Sequence, residues 1–116
     1  MQNKGNKIKS PSPATLKKYG LTYPEWFSFL VAQEFLCPIC KRSFIYDPIR
    51  PVIDHYHQRN YKKLPPEQKK KYVRGVCCVY CNQRLLIKGI TLQRARAIAS
   101  YLEKFEERLA TSNPPD

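Results

Sequence analysis

Apolar residues recur at helical spacing from residue 26, and this pattern predicts a helix that ends near Glu34. Thr22 and Glu25 have the spacing of a capping box, and Pro24 suits the first turn, where its missing N–H costs nothing. The apolar stripe of this helix comprises Trp26, Phe27, Leu30, Val31 and Phe35. Such a stripe is more typical of core packing than of an aromatic platform for bases, so we expect Trp26 to lie in the core.

A second helical pattern lies near the C-terminus. It predicts a helix from Thr91, a suitable N-cap, to about Leu109. Its apolar positions are Leu92, Ala95, Ile98, Ala99, Leu102, Phe105 and Leu109. We expect this stripe to cover the core together with the first helix. A dimerisation face is the alternative, and the pattern leaves the oligomeric state, monomer or homodimer, open.

Two short apolar runs between these helices predict β-strands, at residues 51–54 and 72–77. Paired as an antiparallel hairpin, they would bring Asp54 and His55 close to the segment that follows Cys78. That segment, residues 79–87, predicts a short helix that stops at Lys88 and Gly89. The elements together predict a small α+β domain with a strand–strand–helix core and flanking N- and C-terminal helices.

The two ends of the chain are polar. Residues 1–14 carry only positive charge and include two prolines, a composition typical of a flexible basic tail. Residues 111–116 predict a second tail, and residues 15–110 form one domain with one modest core. Within that domain, residues 15–18 predict a short helical turn, which Gly20 ends.

Four of the five cysteines form two C-x-x-C pairs, Cys37 with Cys40 and Cys78 with Cys81. Structural zinc requires four ligands in a tetrahedron, and two such turns supply them. One cysteine is left over, which favours a metal site in a reducing compartment over disulfides or a redox pair. We therefore predict structural Zn²⁺ bound by these two pairs, and expect Cys77 to be a small buried apolar residue.

The charge balance indicates a polyanionic partner. The 116-residue chain has 21 Lys and Arg against nine Asp and Glu, a net charge of +12. Such a balance favours nucleic acid over an anionic membrane. No apolar run approaches the roughly 20 residues that span a bilayer, and the N-terminus has no apolar signal-peptide core. We therefore expect a soluble cytoplasmic protein that binds DNA and no membrane.

The connection between the two predicted strands, residues 58–71, is the most basic part of the domain. A charge run is usually a solvated face, but this one projects from the hairpin that carries both histidines. Pro65 and Pro66 interrupt it, and one helical turn is expected from Pro66. We expect DNA backbone contacts from Arg59, Lys62, Lys63, Lys69, Lys70 and Lys71, and from Arg74 in the second strand.

The candidate chemistry lies where the first strand ends. Asp54 and His55 place a metal ligand and a general base on neighbouring residues, and His57 follows. Neutral imidazole, with a pKa of about 6.5, can take a proton from water at physiological pH. Asn82, next to the second cysteine pair, lies in the segment that the hairpin would bring close to them.

The whole pattern resembles a known family. C-x-x-C, then Asp54-His55-x-His57, then Arg74-Gly75-Val76-Cys77-Cys78-x-x-Cys81-Asn82 is similar to the HNH nucleases of the ββα-metal (His-Me finger) fold, specifically the recombination endonuclease VII branch. The similarity covers roughly residues 19–102. It implies a metal-dependent DNA endonuclease in which Asp54 and Asn82 hold Mg²⁺ or Mn²⁺ and His55 activates water. The same resemblance places His57 near the phosphate or the metal.

Two questions stay open on the sequence. The strand connection is longer and more basic than the compact loop common in that family, so the substrate preference is not fixed. A non-catalytic zinc-ribbon module that binds DNA or RNA would explain the charge and the cysteines equally well. It does not explain the positions of Asp54, His55 and Asn82 relative to the cysteines.

Overall fold

The computed structural model describes residues 8–112 and shows a mixed α+β domain, as expected. In chain order the elements are α1 (Pro13–Lys18), α2 (Tyr23–Ala32), β1 (Pro51–His55), a 3₁₀ turn (Tyr61–Lys63), α3 (Pro66–Lys71), β2 (Val73–Cys78), α4 (Val79–Arg84) and α5 (Leu92–Ser112). The predicted tails fall partly on residues 1–7 and 113–116, which lie outside the described residues. Helix α1 begins at Pro13, inside the predicted N-terminal tail, and is capped by Ser12.

The two strands form an antiparallel hairpin with an irregular register. Asp54 pairs with Gly75, but His55 pairs with Val73, so Arg74 has no partner opposite it. Such a bulge changes the strict alternation of side chains between the two faces of a sheet. Helix α4 follows β2 directly, which gives the predicted strand–strand–helix order. It ends at Arg84, three residues earlier than expected, because the N–H groups of Leu85 and Leu86 both bond to the carbonyl of Cys81.

Helix α2 begins with the predicted capping box. The Thr22 N–H donates to Glu25 Oε1 at 2.8 Å, and the Glu25 N–H donates to Thr22 Oγ1 at 3.3 Å. The helix ends two residues before Glu34, because Glu34 and Phe35 adopt left-handed backbone angles, φ 57° and 61°. Trp26 is 2% exposed, which confirms its predicted place in the core.

Gln33, just after α2, joins that helix to the outer edge of β2. Its side-chain amide donates to the carbonyls of Val76 at 2.8 Å and Leu36 at 3.1 Å. Its Oε1 accepts the Val76 N–H at 2.9 Å. A Cβ on Gly75 would lie 2.8 Å from this oxygen, so the glycine permits the close approach. The Gln33 amide therefore satisfies backbone groups of β2 that a third strand would otherwise satisfy.

Replacing Gln33 with alanine should lower the free energy of unfolding by about 2 kcal/mol, because both polar groups of Val76 lose their partner. Urea denaturation followed by circular dichroism measures this change. Gln93→Ala, at an exposed position on α5, is the matched control and should leave stability nearly unchanged. Equal stability of the two variants would contradict this role for Gln33.

The strand connection is fastened to the N-terminal helices at two points. Gly20 has φ +71°, and a Cβ there would collide with the carbonyl of Pro66 at the start of α3. The ammonium group of Lys70, in α3, forms an ion pair with Glu25 of α2. The predicted helical turn at Pro66 is confirmed as α3. The lysine-rich segment is therefore part of the folded domain.

The expectation that the C-terminal stripe covers the core is wrong. Every residue from 91 to 111 is exposed, and the large apolar side chains of α5 are 46% to 75% exposed. The physical reason is that the core is already closed by Leu16, Leu21, Trp26 and Phe44, which are buried with Val76 of β2. The dimerisation face stays a prediction. No helix in the described part of the chain is both long and apolar enough to cross a membrane.

Candidate active site and metal centre

The four predicted cysteine ligands converge. The Sγ atoms of Cys37, Cys40, Cys78 and Cys81 all lie within 4.8 Å of one another. Cys40 Sγ and Cys78 Sγ are 3.9 Å apart, close to the separation of about 3.8 Å expected for two thiolates on one tetrahedral zinc ion. Three of the four are buried and Cys40 is exposed. The cluster fits a structural metal such as zinc, with all four positions taken by sulfur.

Backbone N–H groups surround the sulfurs and favour the thiolate at Cys37. The first turn is closed by a hydrogen bond from Lys41 N–H to the Cys37 carbonyl at 2.9 Å, and Lys41 adopts φ 68°. In the second turn Cys78 caps α4, and its Sγ accepts the Cys81 N–H at 3.4 Å. Burial raises the pKa of Cys37, but N–H groups, including those of Cys40 and Cys78, outweigh it and lower the pKa to about 7. Burial raises the pKa of Cys78 and Cys81. Of these three thiols, Cys37 therefore becomes most readily the thiolate, which is the form that binds metal.

Cys77 behaves as expected from its spacing. It is 3% exposed in β2, beside the cluster but outside it. Burial raises the pKa of its thiol to about 12, with the charge of Asp54 adding to the effect. Its thiol therefore stays protonated and packs as a small apolar side chain.

A cavity of about 270 Å³ brings together the predicted chemical residues. Asp54, His55, His57 and Asn82 all line it. The first two come from the end of β1, and Asn82 comes from α4, immediately after Cys81. The same helix start therefore carries two cysteines of the cluster and one wall of the cavity.

Arg74 holds the carboxylate of Asp54. Its Nε donates to Oδ2 at 2.7 Å and its Nη2 donates to Oδ1 at 3.0 Å, while Asp54 is 3% exposed. The hydrogen bonds to Asp54 raise the pKa of Arg74. The sequence predicted Arg74 as a DNA contact, which stays a prediction, and the structure places its guanidinium on a candidate metal ligand. A carboxylate offers about four acceptor positions, and this pair uses two of them.

His55 is half-buried within a group of rings. The centroid of its ring lies 4.5 Å from that of Tyr61, 4.8 Å from that of His57 and 5.2 Å from that of Tyr19. Burial lowers the pKa of His55, as do the positive charges of His57, Arg74 and Lys18, while Asp54 opposes the shift. The imidazole is therefore held in its neutral form, which can accept a proton. Sequence reasoning missed Tyr19 and Tyr61, because no spacing links them to His55.

The predicted basic residues divide into two groups. Arg59, Lys62 and Lys63 line a larger cavity of about 730 Å³, which also has His55 and His57 in its wall. Two lysines that were not predicted from the sequence as DNA contacts, Lys18 and Lys88, also line it.

The remaining predicted lysines lie outside these walls. Lys70 is paired with Glu25, and the Lys69 ammonium lies 5.8 Å from the centroid of the Tyr61 ring. Lys71 lines neither of the two cavities. We therefore expect Lys62 and Lys63 to contribute more to phosphate binding than Lys70 and Lys71.

Comparison with known proteins identifies the family. The sequence matches the family model of recombination endonuclease VII over residues 13–104, which include the cysteine cluster and all the residues of the smaller cavity. No curated protein and no solved structure matches the chain. Because the matched segment covers most of the sequence, the chain belongs to the recombination endonuclease VII family, and it is a nuclease whose substrate is DNA.

Proposed function

We propose that the protein is a metal-dependent DNA endonuclease of the HNH type, which hydrolyses a phosphodiester bond by general-base activation of water. The observation that carries this proposal is the convergence of Asp54, His55, His57 and Asn82 on one cavity. Two oxygen donors and a neutral imidazole meet there, and cationic side chains line the adjoining cavity.

His55 is the proposed general base. Its ring is packed against Tyr19 and Tyr61, and its lowered pKa favours the neutral form. The Tyr61 hydroxyl donates to the Lys69 carbonyl at 3.3 Å, which anchors the ring of Tyr61 to α3. The imidazole is thus held in one place, ready to take the proton of an attacking water. His57 is exposed beside it and is proposed to contact the phosphate.

Asp54 and Asn82 are the proposed ligands of the catalytic cation. Their carboxylate and amide oxygens are donors that Mg²⁺ and Mn²⁺ prefer. Arg74 fixes the orientation of the Asp54 carboxylate, and the turn of Cys78 and Cys81 fixes the start of the helix that carries Asn82. When bound, such a cation would neutralise charge on the phosphoryl oxygens and assist the leaving 3′ oxygen.

Nicking of a supercoiled plasmid tests the proposal directly. The protein should convert supercoiled plasmid to nicked or linear forms with Mg²⁺ or Mn²⁺ present, and should stop when the cation is omitted. Cleavage should return when the cation is restored. A protein that binds the plasmid but leaves it intact under all these conditions would instead be a non-catalytic zinc module.

Neutralising Lys62 and Lys63 together should weaken DNA binding and flatten its salt dependence. Each phosphate contact contributes a slope of about −0.9 in log K against log salt for duplex DNA. Both lysines line the cavity beside His55, so Lys62→Gln/Lys63→Gln should lose up to two such contacts. Fluorescence anisotropy with a labelled duplex at several salt concentrations measures the slope.

The matched control for this test is Lys70→Gln/Lys71→Gln, which removes the same charge from the same connection. Lys70 is already paired with Glu25, so this control should change the slope less. Equal changes in the two double variants would show that only net charge matters, and that the walls of the cavity do not bind phosphates.

A further inference from the structure

The cavity that contains the candidate catalytic residues shares wall residues with a second neighbour, which no residue of the lysine-rich connection lines. This neighbour has a volume of about 350 Å³, and we call it the Arg50 cavity. It shares Tyr19, Ile53 and Asn82 with the catalytic cavity. It shares Tyr19 alone with the cavity lined by Lys62 and Lys63. The two neighbours therefore meet the catalytic cavity at different wall residues, Ile53 and Asn82 for the Arg50 cavity and His55, His57 and Lys88 for the other. We call the three cavities together the groove.

The charge of the Arg50 cavity is positive. Lys9 and Arg50 line it and are both exposed, and within residues 8–112 no acidic residue lines it. Hydroxyl-bearing Ser10 and Thr15 lie in the same wall. Along the whole groove, Asp54 is the one acidic residue among those that line the three cavities. A groove that is basic at both ends, with the candidate chemistry between them, matches the charge of a polyphosphate chain.

Backbone contacts fix the main chain of Arg50 next to the helix that carries Asn82. Its carbonyl accepts the Val79 N–H at 3.0 Å, and the next residue, Pro51, pairs with Cys78 in the hairpin. These contacts tie Arg50 to the first turn of α4, the helix that carries Asn82. These contacts position the backbone of Arg50, and its exposed guanidinium is a group that can bind a phosphate with two parallel hydrogen bonds.

We propose that the Arg50 cavity binds a backbone phosphate of the DNA strand on one side of the scissile bond, with Arg50 as its main contact and Lys9 as a second positive charge. The lysine-lined cavity then receives the strand on the other side. This inference rests on the proposed endonuclease function, because it places the scissile phosphate in the catalytic cavity between the two.

Duplex substrates that differ in length on one side of the cleavage position test the proposal. On a duplex that extends fully on both sides, Arg50→Gln should weaken binding by about tenfold, the effect expected for one lost charge-assisted contact. It should also flatten the salt slope by about 0.9. On a duplex truncated on the side that this cavity binds, parent and variant should bind equally. On a duplex truncated on the other side, the tenfold difference should persist.

Two variants sharpen this test. Arg42→Gln removes the same charge from an exposed residue in the first cysteine turn, which lines none of the three cavities, and should behave as the parent. Arg50→Lys keeps the charge and should restore the salt slope, but only part of the affinity. Melting temperatures of all variants should match that of the parent, because Arg50 and Arg42 are exposed.

Three outcomes distinguish a failure of the phosphate subsite from a failure of the endonuclease proposal. An Arg50→Gln protein that binds every substrate as the parent does would overturn the phosphate subsite and leave the endonuclease proposal intact. The phosphate subsite would also be overturned if Arg50→Gln weakened binding equally on both truncated substrates, because a general loss of positive charge would then explain the effect. A parent protein that cleaves none of the substrates with Mg²⁺ or Mn²⁺ would overturn both proposals.

Discussion

Replacing His55 with alanine should lower the single-turnover rate of DNA cleavage by about 10²–10⁴-fold, the range typical of general-base catalysis. The substitution removes the proposed proton acceptor and leaves Asp54 and Asn82 in the same cavity. His55 is only half-buried, so the melting temperature, zinc content and DNA affinity should change little. Single-turnover cleavage and thermal melting, measured on the same preparation, separate a chemical role from a packing role.

Asn82→Ala provides the contrast to this variant. It should weaken binding of the catalytic cation, so part of the lost cleavage rate should be recovered at high Mg²⁺ or Mn²⁺. The cleavage rate of His55→Ala should not recover under these conditions. Gln83→Ala, at the next residue of α4 and in the wall of the same cavity, is the matched control. A His55→Ala protein that cleaves DNA at the parent rate would remove His55 from the mechanism.

Replacing Cys81 with serine should unfold the domain or sharply lower its melting temperature. Structural zinc in small domains contributes about 10–16 kcal/mol of apparent binding free energy, comparable to the whole stability of a typical domain. Cys81 is 1% exposed, so the serine would place a buried hydroxyl where the fourth sulfur ligand is expected. The backbone N–H of residue 81 still bonds to the sulfur of Cys78, so the expected loss comes from the missing ligand itself. Thermal melting together with metal analysis of the purified protein measures both effects.

Cys77→Ala is the matched control for the zinc prediction. Cys77 is equally buried but lies outside the four-sulfur cluster, so the variant should keep its metal and most of its stability. The prediction is wrong if the parent protein contains no tightly bound zinc and its four clustered thiols react freely in the folded state.

The features that could be predicted from the sequence depend on short-range physics. The capping box of Thr22 and Glu25 needs only residues three apart. Each C-x-x-C turn is also local, and the tetrahedral requirement of zinc then joins two distant turns. The hairpin followed by that second turn was enough to predict that Asp54, His55 and Asn82 belong to one site, and they line one cavity.

The features that could not be predicted depend on long-range packing. The register shift after Asp54 leaves Arg74 unpaired in the ladder, and its pairing with the Asp54 carboxylate has no sequence signal. The contact of Tyr61 with His55 depends on how the strand connection folds back. For α5, the apolar stripe shows that one face is hydrophobic, but the sequence alone does not reveal that other residues already close the core.

The two attachments of the strand connection, at Gly20 and at Glu25, affect the thermodynamics of DNA binding. Fixing the backbone of one residue costs about 1–2 kcal/mol of conformational entropy. For this connection most of that loss occurs when the domain folds, before any DNA is present. In the proposed complex its lysines would therefore meet the phosphates from an already ordered backbone, and little of the binding free energy would be used to order the chain. Association should resemble docking onto a rigid face more than the folding of a disordered basic arm on DNA.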